Sequence, residues 1–259
     1  VLGELLHAIK RREIKLYYQP QIELTSRKIV GLETLVRWQK AADEFVPPMQ
    51  FIPIAEKTGF IVSLGKWIFD EACKQANRWQ EMGVMPATIA VNISPVQCRR
   101  PALVEEIRNS LKKWGIKPKA VELELTETVL LEPRSIETIE NLRSLGLRIA
   151  LDDFGTGYSS LSYLAQCEVD RLKIPREFVS KLATHKRHAS IVRSIVRLAD
   201  ELGMESIAEG VEDEAQADFL MAIGCRRAQG FLYGRPTDSK ITTELLRSQA
   251  RDSRFDRKH

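Results

Sequence analysis

The sequence is poor in the residues that build soft-metal sites and covalent scaffolds. Only four cysteines occur, Cys73, Cys98, Cys167 and Cys225, and none forms a Cys-x-x-Cys pair. That spacing argues against a zinc ribbon and a disulfide-stapled domain, and scattered thiols suit a reducing cytoplasm. Histidine is as scarce: His7, His185, His188 and His259 make no metal-binding or His-Asp signature. No uncharged apolar run approaches the ~18 residues a membrane span needs, and residues 1–12 carry charges at helical spacing where a signal peptide would be apolar. One-sided charge is missing as well. The formal net charge is +4 and residues 247–259 supply +3 of it, so the body lacks the footprint of a protein that binds nucleic-acid polymers.

What is present is an ordered globular composition, 44% hydrophobic and 29% charged, with no low-complexity run. Short β-branched runs alternate with longer stretches of helical period, the pattern of a parallel sheet with crossover helices. Eight strands are predicted, at 16–22, 29–38, 88–93, 121–126, 148–152, 171–174, 206–209 and 228–231. The first gap is too short for a helix, so strands one and two should form an antiparallel hairpin. The later gaps hold helices at 48–58, 61–82, 102–114, 134–145, 159–165, 187–202 and 214–223, several ending at a glycine. The expected fold is α/β, a modified (β/α)8 TIM-like barrel with an antiparallel first strand over residues 1–246. Residues 247–259 read as a basic, solvated tail. Because the chain opens on Val1 rather than Met, a piece of a longer protein is expected.

In such a barrel the site lies at the C-terminal ends of the strands. There the sequence sets Glu33 before Arg37, Asn92, the run Glu122, Glu124 and Glu127, the pair Asp152 and Asp153, Lys173, Glu209 and Gln229. In Val121-Glu122-Leu123-Glu124-Leu125-Thr126, period two sends the glutamates into the barrel and the leucines toward the helices. A lone carboxylate is most often a salt bridge or a cap. Five carboxylates and an asparagine at successive strand ends need cations. Oxygen donors without His or Cys favour Mg²⁺ or Mn²⁺. Adjacent Asp152 and Asp153 suit two ions, and two metals ~3.5–4 Å apart form a clamp for in-line displacement at phosphorus. Phosphodiester hydrolysis is the natural chemistry. Asp153-Phe154-Gly155 also matches the kinase metal triplet, but the chain lacks the His-Arg-Asp loop, and Gly155-Thr156-Gly157 lacks the third glycine of a dinucleotide fingerprint.

These residues resemble a family. Glu33-Thr34-Leu35 before Arg37, Val91-Asn92-Ile93-Ser94, Glu124-Leu125-Thr126-Glu127, Asp152-Asp153-Phe154-Gly155-Thr156-Gly157, Asp170 with Lys173, Glu209-Gly210-Val211-Glu212 and Gln229-Gly230-Phe231 are together similar to the EAL-domain cyclic-di-GMP phosphodiesterases. The match runs in order from about Leu16 to Pro236. The resemblance implies hydrolysis of cyclic-di-GMP to linear pGpG in bacterial second-messenger signalling, with Mg²⁺ or Mn²⁺, two per site. It implies Glu33, Asn92, Glu124 and Asp152 as ligands of one metal, and Asp152, Asp153 and Glu209 for the second. Glu209 as general base for the attacking water is the open alternative. Lys173 would orient that water, and Glu127 would order the loop after strand five. Gln19, Arg37, Gln229 and Pro236 are the expected substrate contacts, with Phe231 at the rim. Also implied are a homodimer, fused sensory or cyclase domains outside this chain, and a cytoplasmic location, with membrane anchoring elsewhere in the protein as an option.

Two positions depart from the family pattern. Thr34 replaces an Ala, but on a strand it points away from Glu33, so a mild effect is expected. Pro175 stands where the family usually has Asp, removing a carboxylate and a backbone donor near Lys173. Two other readings compete: a receptor that binds the nucleotide without cleaving it, and a Mg²⁺ barrel lyase of enolase-like type, which fits the carboxylates but not the motifs.

Overall fold

The computed structural model describes residues 2–41, 44–156, 164, 167–182 and 184–255. Strands β1 (Ile14–Glu23) and β2 (Ile29–Ala41) form the expected antiparallel hairpin, in register from Ile14 opposite Trp38 to Ile22 opposite Ile29. From β2 the sheet runs in parallel through β4 (Thr88–Ile93), β5 (Val121–Thr126), β6 (Arg148–Asp152), β7 (Arg171–Ile174), β8 (Glu205–Ala208) and β9 (Arg227–Gln229). Antiparallel pairing of β9 with β1, at Gln21 opposite Gln229, closes the ring, so β1 is reversed against both of its neighbours in it. The eight-stranded α/β barrel is the one expected. Two short strands were not foreseen: β3 (Glu44–Val46) pairs antiparallel with the end of β2, and β10 (Thr237–Asp238) pairs antiparallel with β1. At three and two residues they carry too little pattern to read.

Alternation along the strands divides inside from outside. Leu123 and Leu125 are fully buried against the helical layer, while Glu122 and Glu124, equally buried, project into the barrel. The helices take their faces from the same logic. In Ala102–Trp114 the buried positions are Leu103, Ile107, Ser110 and Leu111, one stripe of a 3.6-residue period, and Gly115 ends the helix in the left-handed region at φ 63°. The helices Pro48–Lys57, Ile61–Glu81, Pro133–Ser144, Lys186–Glu201 and Glu214–Ala222 match the prediction to within one residue at each end. The helix predicted at 159–165 lies, apart from Leu164, outside the described residues.

The C-terminal reading needs correction. A helix spans Ser239–Phe255 and passes straight through the boundary drawn at residue 246. Leu246 is buried, Thr243 accepts a hydrogen bond from the Trp79 indole at 2.8 Å, and the Gln249 amide clasps the backbone of Ile29, accepting from its N–H at 2.6 Å and donating to its carbonyl at 3.1 Å. Charge density had suggested solvation, but a helix needs only one apolar stripe to dock.

Candidate active site at the barrel mouth

Each of the eight ring strands brings one polar side chain to the C-terminal end of the barrel. Gln19 comes from β1, Glu33 from β2, Asn92 from β4, Glu124 from β5, Asp152 from β6, Lys173 from β7 and Gln229 from β9. Glu209 lies one residue beyond β8, its backbone N–H still bonded to the Ile174 carbonyl at 3.0 Å. The chain then turns at Gly210, with φ 66°, and runs against the turn after β9. A Cβ on Gly230 would fall 2.1 Å from the Val211 carbonyl oxygen, so this crossing requires glycine.

The centre of the cluster is the Lys173 ammonium, 1% exposed. Its Nζ lies 2.7 Å from Glu124, 2.7 Å from Glu209, 3.2 Å from Asp152 and 3.8 Å from Glu33. Glu33 is held from behind by amides: Asn92 donates at 3.0 Å and Gln229 at 2.5 Å, and Gln229 also donates to the Gln19 carbonyl oxygen at 2.8 Å. One cation among four carboxylates leaves an excess of negative charge that divides the acids. Burial alone would raise the Glu33 carboxyl, but Lys173 and the two amides overcome it and hold Glu33 below the ordinary carboxylate range. Burial and the Glu33 charge push Glu124 well above that range, and burial aided by Asp152 and Glu33 pushes Glu209 up to about 8. Asp153 is raised by burial and by Asp152, while the surrounding acids outweigh burial at Lys173 and keep its ammonium charged.

Asp153 adopts φ 54°, a left-handed conformation unusual for a residue with a side chain, and its N–H is bonded to the Asp152 carboxylate at 2.9 Å. This turn is tied to the end of β5 because Glu127 accepts from the Gly155 N–H at 3.3 Å. The rest of the glycine-containing loop, from residue 157, lies outside the described residues.

The donor set suits a hard divalent cation, since all its atoms are carboxylate or amide oxygens and Oε1 of Glu124 is buried without a hydrogen-bond partner. No three His, Cys, Asp or Glu side chains among the described residues are already gathered into a metal cage, because Lys173 takes the middle of the cluster. The residues fit the ion once these carboxylates turn from the ammonium.

Beside the carboxylates opens a cleft of about 370 Å³ whose walls include Gln19, Glu33, Arg37, Asp152, Glu209, Gln229, Phe231 and Pro236. Arg37 is half-buried, with Nη1 on its neighbour's carbonyl Val36 O at 2.9 Å and its guanidinium over the Tyr17 ring. Gln19 and Gln229 are deeply set, 8% and 5% exposed; Gln229 donates to Glu33, and Gln19 reaches it only through Gln229 while donating to the Gly234 carbonyl. Sequence reasoning missed Arg176, which forms a 2.7 Å ion pair at the rim of the cleft with Glu212, a motif residue that had been given no role, and Arg235, whose guanidinium lies 4.0 Å from the centre of the Phe231 ring. Arg235 adjoins Pro236 in sequence and was within reach of the motif. Arg176 follows Pro175 and had no such signal. Thr34 points away from the carboxylates, as expected, into a second, mostly apolar cleft of about 250 Å³ lined also by Ile52, Ile61 and Ile68.

An eight-stranded α/β barrel with an acidic mouth and a reversed first strand defines a narrow class. The EAL domain family model matches residues 2–236, and the chain belongs to that family. MucR of Pseudomonas aeruginosa, a bifunctional diguanylate cyclase/cyclic di-GMP phosphodiesterase, is 41% identical over 252 residues, covering 96% of this chain and 36% of MucR. The signaling protein YkoW of Bacillus subtilis is 40% identical, over 90% of this chain and 29% of its own length. Among solved structures, the PaMucR phosphodiesterase in complex with c-di-GMP superposes with a TM-score of 0.89 at 41% identity, covering 93% of this chain and 98% of that one. The EAL enzyme Bd1971 with cAMP and cyclic-di-GMP gives 0.90 at 32% identity, over 94% of this chain and 67% of that one. The chain spans about a third of the length of the curated relatives it matches. No helix among the described residues is long and apolar enough to cross a membrane.

Proposed function

We propose that this chain is a metal-dependent phosphodiesterase that hydrolyses cyclic-di-GMP to linear 5′-pGpG. The observation that carries the reading is the cluster around Lys173, which brings together more carboxylates than one ammonium can balance. Two Mg²⁺ or Mn²⁺ ions, held by Glu33, Asn92, Glu124, Asp152, Asp153 and Glu209, would neutralise that excess and make water nucleophilic near neutral pH. Water oxygen bonds to phosphorus, the bond from phosphorus to one 3′ oxygen breaks, and the proton released by water ends on that oxygen, giving a 5′-phosphate and a free 3′-hydroxyl.

The chain's own groups divide this work. Lys173 orients the water, being the one ammonium inside the cluster. Glu209 stands 2.7 Å from Lys173 at the edge of the cleft and serves as proton acceptor or as ligand. Arg37, on the cleft wall, meets a phosphate, and Pro236 supports a base; Gln19 and Gln229 face the same cleft, Gln229 also steadying Glu33. Glu127 holds the turn that carries Asp153. The relatives' additional length supports regulation by fused domains, and a homodimer is part of the same proposal.

Incubation with cyclic-di-GMP and Mg²⁺ or Mn²⁺, with mass detection of the product, is the test. Appearance of pGpG supports the reading, and no turnover with either metal would falsify it. One observation favours a receptor instead: Pro175 is buried directly after β7 and gives the helix Arg176–Val179 no side-chain cap, where the family pattern has Asp. Calorimetry that finds nucleotide binding without hydrolysis selects that alternative. Pro175→Asp restoring turnover would assign the loss to this position.

A further inference from the structure

At the opposite end of the barrel, the floor, four charged side chains form a ladder that no part of the proposed hydrolysis uses. Arg171 opens β7 and is 1% exposed. Its Nη1 donates to Glu122 on β5 at 2.5 Å, and its Nη2 donates to Glu205 at the start of β8 at 2.7 Å. Glu205 also lies 3.2 Å from Arg227 at the start of β9. Each member precedes a mouth residue by an even number of positions, Glu122 below Glu124, Arg171 below Lys173 and Arg227 below Gln229 on the same strand, and Glu205 below Glu209, which follows the end of β8 directly. Period two therefore sets each floor residue on the inward face under its counterpart, one or two pleats away.

The ladder crosses strands that the sheet does not join directly. β5 and β7 are separated by β6, so no backbone hydrogen bond fixes one against the other. Two side-chain bridges do so, Glu122 to Arg171 at the floor and Glu124 to Lys173 at the mouth. The lower bridge uses a planar guanidinium held by carboxylates on two different strands. That is a rigid fork and not a point charge, and it dictates spacing as well as charge balance.

We propose that Glu122, Arg171, Glu205 and Arg227 are a positioning network that sets the stagger of β5, β7, β8 and β9, and thereby the meeting of Glu124, Lys173, Glu209 and Gln229 at the mouth. None of the four touches the reacting atoms. They act through the strand each shares with a mouth residue. The kinetic readout of this inference rests on the proposed hydrolysis, and its metal-affinity readout rests only on the carboxylate cluster.

The test uses the full chain as wild type, Arg171→Lys and Glu122→Gln. Measured are the melting temperature, the Mn²⁺ dissociation constant by calorimetry, and kcat and KM for cyclic-di-GMP at a temperature where each variant is folded. Arg171→Lys retains the charge and loses the fork. Misplacing the mouth by a fraction of an ångström through a distant change should cost up to about a hundredfold in kcat. Mn²⁺ affinity should weaken by about tenfold, as when groups behind metal ligands are disturbed. KM should stay within about threefold, because substrate-wall residues are untouched. Folded variants whose kcat and Mn²⁺ affinity both stay within about twofold of wild type overturn the network, as do losses that vanish once the assay temperature is lowered. If wild type binds Mn²⁺ without turnover, the hydrolysis reading falls and the network is judged on Mn²⁺ affinity. If wild type binds no Mn²⁺, both fall together.

Discussion

At the floor of the barrel two carboxylates, Glu122 and Glu205, face two guanidinium groups, Arg171 and Arg227; at the mouth four carboxylates share the single ammonium of Lys173. The two sets share β5 and β7, where Glu122, Arg171, Glu124 and Lys173 are buried, while Glu205 at the floor is 45% exposed. At the floor the guanidinium groups match or exceed the acids, with Arg148 adding to the positive field on Glu205 and Arg227, so its charges hold strands together without any ligand. The mouth is left short of positive charge, and burial drives Glu124 and Glu209 toward their protonated forms. One end of the barrel is thus charge-matched and the other acid-rich, and the sign of the imbalance tells which end is which.

Three substitutions and one labelling experiment would break or sharpen that contrast. The largest effect is expected at the mouth. Asp152→Ala should lower turnover by about a thousandfold or more, while the metal-free protein melts no lower than wild type because one repelling charge is gone. Activity within about tenfold of wild type in a steady-state assay would remove Asp152 from the catalytic set. At the floor the order reverses. Glu122→Gln leaves the Arg171 cation with one carboxylate fewer in a dry interior and should cost about 3 kcal/mol of stability, read by urea unfolding. An unchanged midpoint would mean that the floor pair carries no cohesion.

A smaller effect is expected between the two ends, at the tie from β5 to the turn after β6. Glu127→Ala removes the acceptor of the Gly155 N–H and loosens the turn that carries Asp153, so kcat should fall by about tenfold and Mn²⁺ affinity should weaken with it. Equal activity would count against a loop-ordering role. The smallest effect concerns the helical layer outside both sets. Burial pushes the Cys73 and Cys98 thiols up to about 12. A thiol that stays protonated in the folded chain but ionises in the unfolded one gives stability that is complete below about pH 9 and declines as pH rises toward 12. Both should resist alkylation at pH 8 until denaturant is added. Rapid labelling of the native protein would show that this layer opens.

The ring strands were legible because period two and β-branched runs mark them, and four of the eight have their predicted limits. Their order around the barrel followed from the short first gap and the helical later ones. The mouth residues were legible because strand ends are where such barrels place chemistry, and Asn92, Glu124, Asp152, Lys173 and Gln229 lie at or near the C-terminal ends of their strands. Three things stayed hidden. Strands β3 and β10 are too short to show a period. The docking of Gln249 on Ile29 depends on a partner 220 positions away. Arg171 carried no signal and Glu122 was grouped with the mouth carboxylates, because nothing local says that the two meet across β6.

By itself the sequence determined which residues could bear charge, on which face of a strand each would lie, and that oxygen donors would dominate the site. Those are local properties, fixed by side-chain type and backbone period. Closure of the ring decided the rest. Only when β9 pairs with β1 do side chains from eight strands converge, so that Lys173 is surrounded by acids and Arg171 by its two carboxylates. Charge interactions fall with distance and strengthen with burial, and both quantities belong to the folded barrel and not to the chain.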